Sequence, residues 1–442
     1  MAPKAWPERP RFRLTSARAE RASVAAVYGV VLITGEEPSW EVPYIRDCVI
    51  VPDPTDQAAL SAAGRTLADR HDVAGVFTWT EWYLVPVARL ARELGLPTVS
   101  PDTMRACRDK AAARRLFARH GVPSAVSVSV RTAEEAHAAA ERIGYPVVVK
   151  PAAHAASIGV IRADTPAQLA TAYSSAGRAA ARGLESTDVL IEEYLDGPEI
   201  SVESVTYRGE TTVVAITRKT VSEPPHFEEI AHSVDAADPL LAHVAPTARH
   251  ALRALGVTEG VSHVEMRLVD GRPRLIEVNG RLAGDMIGHL VRLATGIDLP
   301  RAAADIACGH APDLTRPRSF AASIRLIYPE TSGTLTDLRF DGPDPTWPDR
   351  FHFQHHPGAR LVLPADGGDM FTARIGYLIT TGPTTETATT RAVPRQAGPE
   401  GSRPLSAATP PTGRSRSYSG ICRFNLGLGP YRAPVLMARC RR

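Results

Sequence analysis

The sequence of 442 residues has few of the features that mark secreted, membrane-spanning or metal-stapled proteins. Its five cysteines, Cys48, Cys107, Cys308, Cys422 and Cys440, are far apart and odd in number, with no C-x-x-C pair. That pattern argues against a disulfide framework or a zinc site and fits a reducing, cytoplasmic setting. No apolar run approaches the roughly 18–20 residues that cross a bilayer, so no membrane partner is expected. Lys4, Arg9, Arg11 and Arg13 are followed by no continuous apolar stretch before Ser23, so a signal peptide is not expected. The first apolar run lacks a following G-x-G-x-x-G, which disfavours a dinucleotide site.

Charge of one sign is also missing from most of the chain. The net charge is +3, but residues 391–442 hold ten arginines, no lysine and one acid, Glu400, or +9. The remaining 390 residues therefore carry −6. A mildly acidic body with a basic tail lacks the clustered basic face of a nucleic-acid-binding core, so no nucleic-acid partner is expected.

Periodicity then gives the organisation. Val24–Ile33, Asp47–Val51 and Val73–Thr78 read as buried strands, alternating with helices over Thr55–Arg70 and Glu81–Leu94. This is the pattern of a doubly wound α/β sheet. A long helix is expected over Asp102–His120, stopped by Gly121 and Pro123. Strands follow at Val126–Val130, Tyr145–Lys150, Val160–Arg162 and Val189–Tyr194, with helices over Thr132–Ile143 and Thr165–Arg182. Glu199–Tyr207, Thr211–Thr217, Val261–Leu268 and Arg274–Val278 are further strands, the last two joined at Asp270–Gly271. Residues 318–380 read as short strands and turns, and residues 391–442 as a disordered tail.

Three segments carry chemistry. In Val261–Arg267 and Leu275–Arg281, Glu277 and Asn279 are two apart on a strand and share a face, and a hairpin would bring Glu265 beside them. Two carboxylates and an amide oxygen suit Mg²⁺. Arg281 would then neutralise a phosphate or an oxyanion. Glu-x-Asn alone could be a solvated hairpin face; Glu265 and Arg281 at these spacings favour the metal. The second segment, Pro146–Pro151, ends a strand at Lys150 beside the small-residue loop Ala152–Gly159, which includes Ser157. A strand-end lysine beside loop N–H groups suits phosphates, or it simply snorkels. The third, Val189–Glu203, is an apolar strand ending in Glu192, Glu193, Tyr194 and Leu195, then turning into Glu199. It suits a backbone hinge for adenine with a carboxylate for ribose, or an ordinary polar hairpin.

In this order these segments resemble the ATP-grasp superfamily, and within it the carboxylate–amine ligases such as L-amino acid (dipeptide) ligases. The resemblance covers about residues 24–390. It implies an ATP-grasp fold of the α/β and α+β classes. Its parts would be a loose segment 1–22, a doubly wound N-terminal domain 23–101, an ATP-grasp domain 102–310 with a lid at about 126–195, and a β-rich C-terminal cap 311–390, followed by the tail. It implies ATP contacts by Lys110, Lys150, Ser157, Glu192, Glu193, Tyr194, Leu195 and Glu199. Glu265, Glu277 and Asn279 would hold two Mg²⁺ ions, with Mn²⁺ as an alternative, and Arg281 would be catalytic. Small-molecule carboxylate and amine substrates and a homodimer are implied as partners. The chemistry would run through an acyl phosphate with release of ADP and phosphate.

Substrate residues are read more loosely. Glu81 lies beyond the third strand and would hold a substrate ammonium, or merely open a helix. His232 would close the pocket or be structural, and Gly284 precedes a helix that would offer N–H groups to a carboxylate. A biotin carboxylase-like or purine-pathway enzyme is an alternative, although Pro151–Gly159 is poor in glycine for the former. A nucleotide-binding regulator is a third reading.

Overall fold

The computed structural model describes residues 20–155, 157–337, 348–366, 368, 370–392 and 435–439. Most of the N-terminal segment 1–22, expected to be loose, and of the basic tail, with Cys422 and Cys440, lies outside the described residues.

The N-terminal unit is a four-stranded sheet in the order Asp47–Ile50, Gly29–Thr34, Val435–Arg439, Gly75–Phe77. Val24–Tyr28 is not strand as expected: Ala26 N donates to Ala22 O and Tyr28 N to Val24 O, closing helical turns before the strand starts. Asp47–Ile50 runs parallel to Gly29–Thr34. Between the first and third strands lies Val435–Arg439, antiparallel to both. At Val435–Arg439 this departs from the expectation of a tail without structure. Val435, Leu436, Met437 and Ala438 alternate into cores on both faces of the sheet. A strand buried on both faces is apolar throughout, and four such residues in an arginine-rich segment leave no periodic trace.

Two further sheets frame the rest. A four-stranded sheet takes the order Ser127–Val130, Val189–Glu193, Val147–Pro151, Ile161–Ala163. It is covered by the helices Ala133–Ile143 and Pro166–Ala180, each N-capped by a threonine. An eight-stranded sheet runs Arg272–Asn279, Gly260–Val269, Glu199–Tyr207, Glu210–Val221, Glu229–Asp235, Ala321–Ile327, Gly376–Gly382, Pro348–Phe353. Its last three strands come from the region expected to form a separate cap. Instead Ala321–Ile327 pairs directly with Glu229–Asp235, so the cap is an extension of the central sheet. The helix Leu241–Leu255 packs into one core beside this sheet, and Ile287–Thr295 and Leu299–Ala307 into another.

The expected helix Asp102–His120 is two helices, Pro101–Arg108 and Lys110–His120. Asp109 breaks them: its backbone is extended and its carboxylate accepts from the N–H groups of Ala111 and Ala112. An aspartate satisfying two orphan N–H groups stabilises a helix start by about 1 kcal/mol, and it sets Lys110 at the first position of the second helix. Among the described residues no helix is long and apolar enough to cross a membrane.

Candidate functional site

A cleft of about 770 Å³ opens between the four-stranded and eight-stranded sheets. Lys110, Lys150, Ser157, Glu192, Glu193, Tyr194, Leu195, Glu199, Glu265 and Glu277 all line it. Five separate stretches of sequence thus converge on one space. Lys110 and Lys150 are buried on its floor, and each is already matched by a carboxylate. Lys150 Nζ lies 2.5 Å from Glu192 Oε2, and Lys110 Nζ lies 3.2 Å from Glu277 Oε2. Lys110 Nζ also donates to the His154 carbonyl at 2.7 Å, tying the helix start to the small-residue loop. Burial pushes the Lys150 ammonium below its usual range, an effect that Glu192 partly opposes.

The hinge segment uses its side chains and its backbone differently. Glu192 accepts two parallel bonds from Arg114, at 2.9 and 3.1 Å, besides its contact with Lys150. Burial would raise its pKa, but Arg114 and Lys150 outweigh that and hold it at about 2. Glu193 is likewise engaged by both terminal nitrogens of Arg274, at 2.6 and 2.7 Å. The two carboxylates expected at an adenine hinge therefore anchor arginines and a lysine. The chain then turns at Gly197, whose φ of +144° excludes most side chains and where a Cβ would collide with the Leu268 carbonyl. Arg267 fastens the turn, donating to the Leu195 carbonyl at 3.0 Å and to Glu199 at 3.1 and 3.2 Å.

The acidic hairpin has the expected register. Glu265 faces Glu277 and His263 faces Asn279 across the antiparallel pair. Glu265, Glu277 and Asn279 together offer oxygen ligands, two of them charged, on adjoining strands, and Glu265 and Glu277 line the cleft. That donor set fits a hard divalent cation. Among the described residues no group of three His, Cys, Asp or Glu forms a metal cluster. The Asn279 amide oxygen accepts from Arg281 Nη2 at 3.5 Å. Burial would raise the Glu265 carboxyl, yet Lys219 and His263 hold it well below the usual carboxylate range.

Arg281 and Glu81 meet each other. Arg281 Nε donates to Glu81 Oε2, and Arg108 Nη1 donates to Glu81 Oε1 at 2.7 Å. Arg281 Nη1 also donates to the Leu282 carbonyl at 2.7 Å. Burial opposes ionisation of Glu81, but Arg281 and Arg108 prevail and bring its pKa to about 2. Its charge is therefore met by two guanidinium groups, and it anchors Arg281. Arg108 continues the link to the lid through Glu185 at 3.0 Å and packs over the Trp82 ring.

Glu81, His232, Asn279, Arg281 and Gly284 lie outside the lining of the cleft. His232 is 1% exposed, with Nε2 at 3.7 Å from both Glu229 and Asp285. Asp285 is bound by Arg374 at 2.8 Å, which drives its carboxyl far below the usual range against the effect of burial. Gly284 is exposed, with open space where a Cβ would stand.

Four residues of the site escape sequence reasoning. Lys219 is buried among Glu229 at 2.7 Å, Glu199 at 3.2 Å and Glu265 at 3.5 Å. Burial opposes its charge, but these acids raise its pKa well above the ordinary value. It lies in the strand Glu210–Val221, two residues past the expected end at Thr217. Arg114 is hidden in an ordinary helical pattern. His263 and Arg267 carry a usable signal: with Glu265 they occupy alternate positions of one strand, hence one face.

Models of two families match the chain: an ATP-grasp N-terminal domain over residues 23–98 and an ATP-grasp domain over residues 143–289. "Uncharacterized protein y4rH" of Sinorhizobium fredii is 32% identical over 76% of this chain and 70% of its own length. The alanine–anticapsin ligase of Bacillus amyloliquefaciens is 29% identical over 57% of each chain, and human carnosine synthase 1 is 28% identical over 55% of this chain. The chain thus spans 57% of the length of the former and 32% of the latter. The crystal structure of an L-amino acid ligase from Bacillus licheniformis superposes with a TM-score of 0.70 at 25% identity, covering 85% of this chain and 92% of that one.

Proposed function

This chain belongs to the ATP-grasp family, and from that premise we propose that it is an ATP-dependent carboxylate–amine ligase. It joins two small amino-acid-like substrates through an amide bond. The observation that carries the reading is the convergence of Lys110, Lys150, the segment Glu192–Leu195, Glu199 and the paired Glu265 and Glu277 on one cleft.

In this reading the nucleotide base lies against backbone groups of Glu193–Leu195, and Glu199 accepts from ribose hydroxyls. Lys110 and Lys150 leave their carboxylate partners to meet phosphate oxygens, and the Ser157 loop covers them. Glu265, Glu277 and Asn279 are the residues that would hold Mg²⁺, as two ions or with Mn²⁺ in its place. When bound, the metal offsets negative charge on the transferring phosphoryl group. An oxygen of the substrate carboxylate attacks the γ-phosphorus of ATP, and the bond from that phosphorus to the β,γ-bridging oxygen breaks, leaving ADP. The amine nitrogen of the second substrate then attacks the carbonyl carbon of the acyl phosphate. Phosphate departs with its bonding electron pair, and the nitrogen gives up a proton to solvent. Arg281 is placed in this scheme at the oxyanion of the tetrahedral intermediate, after release from Glu81. A cytoplasmic setting and a homodimer belong to the same proposal.

The test is a product screen by mass spectrometry with ATP, Mg²⁺ and pooled amino acids, coupled to ADP release. ADP and a condensed product that need both a carboxylate and an amine donor are expected. ATP binding without turnover under every pair would replace the ligase with a nucleotide-binding regulator.

A further inference from the structure

The cleft explains Glu265 but not the residues behind it. His263 is 4% exposed and its two ring nitrogens both face carboxylates. Nε2 lies 2.9 Å from Glu265 Oε1, and Nδ1 lies 3.0 Å and 3.1 Å from the two oxygens of Glu203. The three side chains form one row because the sheet aligns them. His263 and Glu265 are two apart on one strand, and Glu203 stands directly across from His263 on the next.

Glu203 is itself no candidate for the cleft. It is 1% exposed, and its Oε1 also accepts from the hydroxyls of Ser201 at 2.8 Å and Thr217 at 3.2 Å. His263 is no candidate ligand either, since both nitrogens are engaged. What the row does is fix Glu265. Among the described residues, the polar contacts of Glu265 fall on Oε1, from His263 and from Lys219 at 3.5 Å. Oε2 carries neither of these contacts, and Glu277 stands directly across on the next strand. A glutamate without such a brace loses side-chain freedom only when it binds, which weakens binding.

We propose that His263 is a positioning residue, held by Glu203, that fixes the Glu265 carboxylate for a divalent cation. This rests on the ligase reading above, since that reading supplies the cation. Outer partners of this kind alter metal affinity by roughly 10–100-fold when removed.

The experiment titrates the full chain, saturated with ADP, with Mn²⁺, and reads free Mn²⁺ by electron paramagnetic resonance. Nucleotide affinity without metal and thermal melting are followed in parallel. His263→Gln is expected to weaken Mn²⁺ binding roughly 10–100-fold, with ADP affinity in the absence of metal unchanged. Glu203→Gln keeps its shape and serves if His263→Gln does not fold; a smaller weakening of several-fold is expected, in the same direction. Folded variants that bind Mn²⁺ as tightly as the native chain would overturn the role of His263 while leaving the ligase reading intact. A native chain that binds ADP but no Mn²⁺ would overturn both.

Discussion

The cleft and the N-terminal sheet are assembled from distant parts of the chain in opposite ways. In the cleft, Lys110, Lys150, Glu192, Glu265 and Glu277 come together as charges, and each cation has an acid beside it. In the sheet, Val435–Ala438 meets Val31, Ile33 and Val76 on one face and Val30 and Leu32 on the other, aliphatic against aliphatic. Buried ion pairs are held at an energetic compromise, because desolvation nearly cancels attraction. Buried aliphatics are plainly favourable, at about 1.5–3 kcal/mol per large side chain. The first region is therefore arranged to exchange partners, and the second to stay together.

The comparison breaks most readily at the sheet. Removing residues 393–442 takes a strand from between two others and leaves both with unpaired edges. A loss of soluble, cooperatively melting protein is expected, checked by circular dichroism melts. Tail composition alone points the other way, to a deletion of residues 391–442 that leaves ligation unchanged. The milder Leu436→Ala is expected to cost about 2–5 kcal/mol, read from denaturant melts; an unchanged midpoint would remove the strand from the fold.

Next in size are the cleft residues. Glu277→Gln should lower turnover by roughly 100-fold or more, since a charge on the transferring phosphoryl group goes unmatched. The fold should hold, which melting would verify; near-native turnover would take Glu277 out of the metal set. Lys150→Ala should lower kcat/KM for ATP by roughly 10–100-fold, the value of one charged hydrogen bond. Arg114 still covers Glu192 in that variant, so the melting temperature should fall less than kinetics do. Glu81→Ala, which frees Arg281, should change kcat by about tenfold and the KM for ATP little. A selective rise in KM for the amine substrate would instead restore Glu81 as an ammonium site.

The smallest effect is a pH dependence. Glu192 has a folded pKa of about 2 against an ordinary 4.5. A depressed value contributes stability that is present above pH 4.5 and is lost as pH falls through about 2. The melting advantage of the native chain over Glu192→Gln should accordingly narrow across that window. A constant gap would mean that the Arg114 and Lys150 contacts do not depend on its charge.

Much of the cleft is legible in the amino-acid sequence. Residues such as Glu277 and Asn279, or Lys150 at a strand end, carry chemistry that few other side chains share, and strand period two fixes which of them point the same way. The helix break at Asp109 is less visible, because a capping aspartate is also tolerated on a helix surface. Lys219 and Arg114 are illegible, because their meaning depends on which acids lie across the next strand. The strand Val435–Arg439 is wholly hidden, since a short apolar run pairs equally well with any sheet.

Residue order alone carries the ATP-grasp kinship, the succession of elements and the residue types that meet a nucleotide. Local propensity, hydrophobic period and side-chain chemistry act within a few residues and are written there. Long-range packing settles the rest: Glu81 holds Arg281, Glu203 holds His263, the cap strands extend the central sheet and the far end of the chain completes the first one. Those are pairings across up to about four hundred residues. Register and burial, which no single segment contains, select them from many chemically equal alternatives.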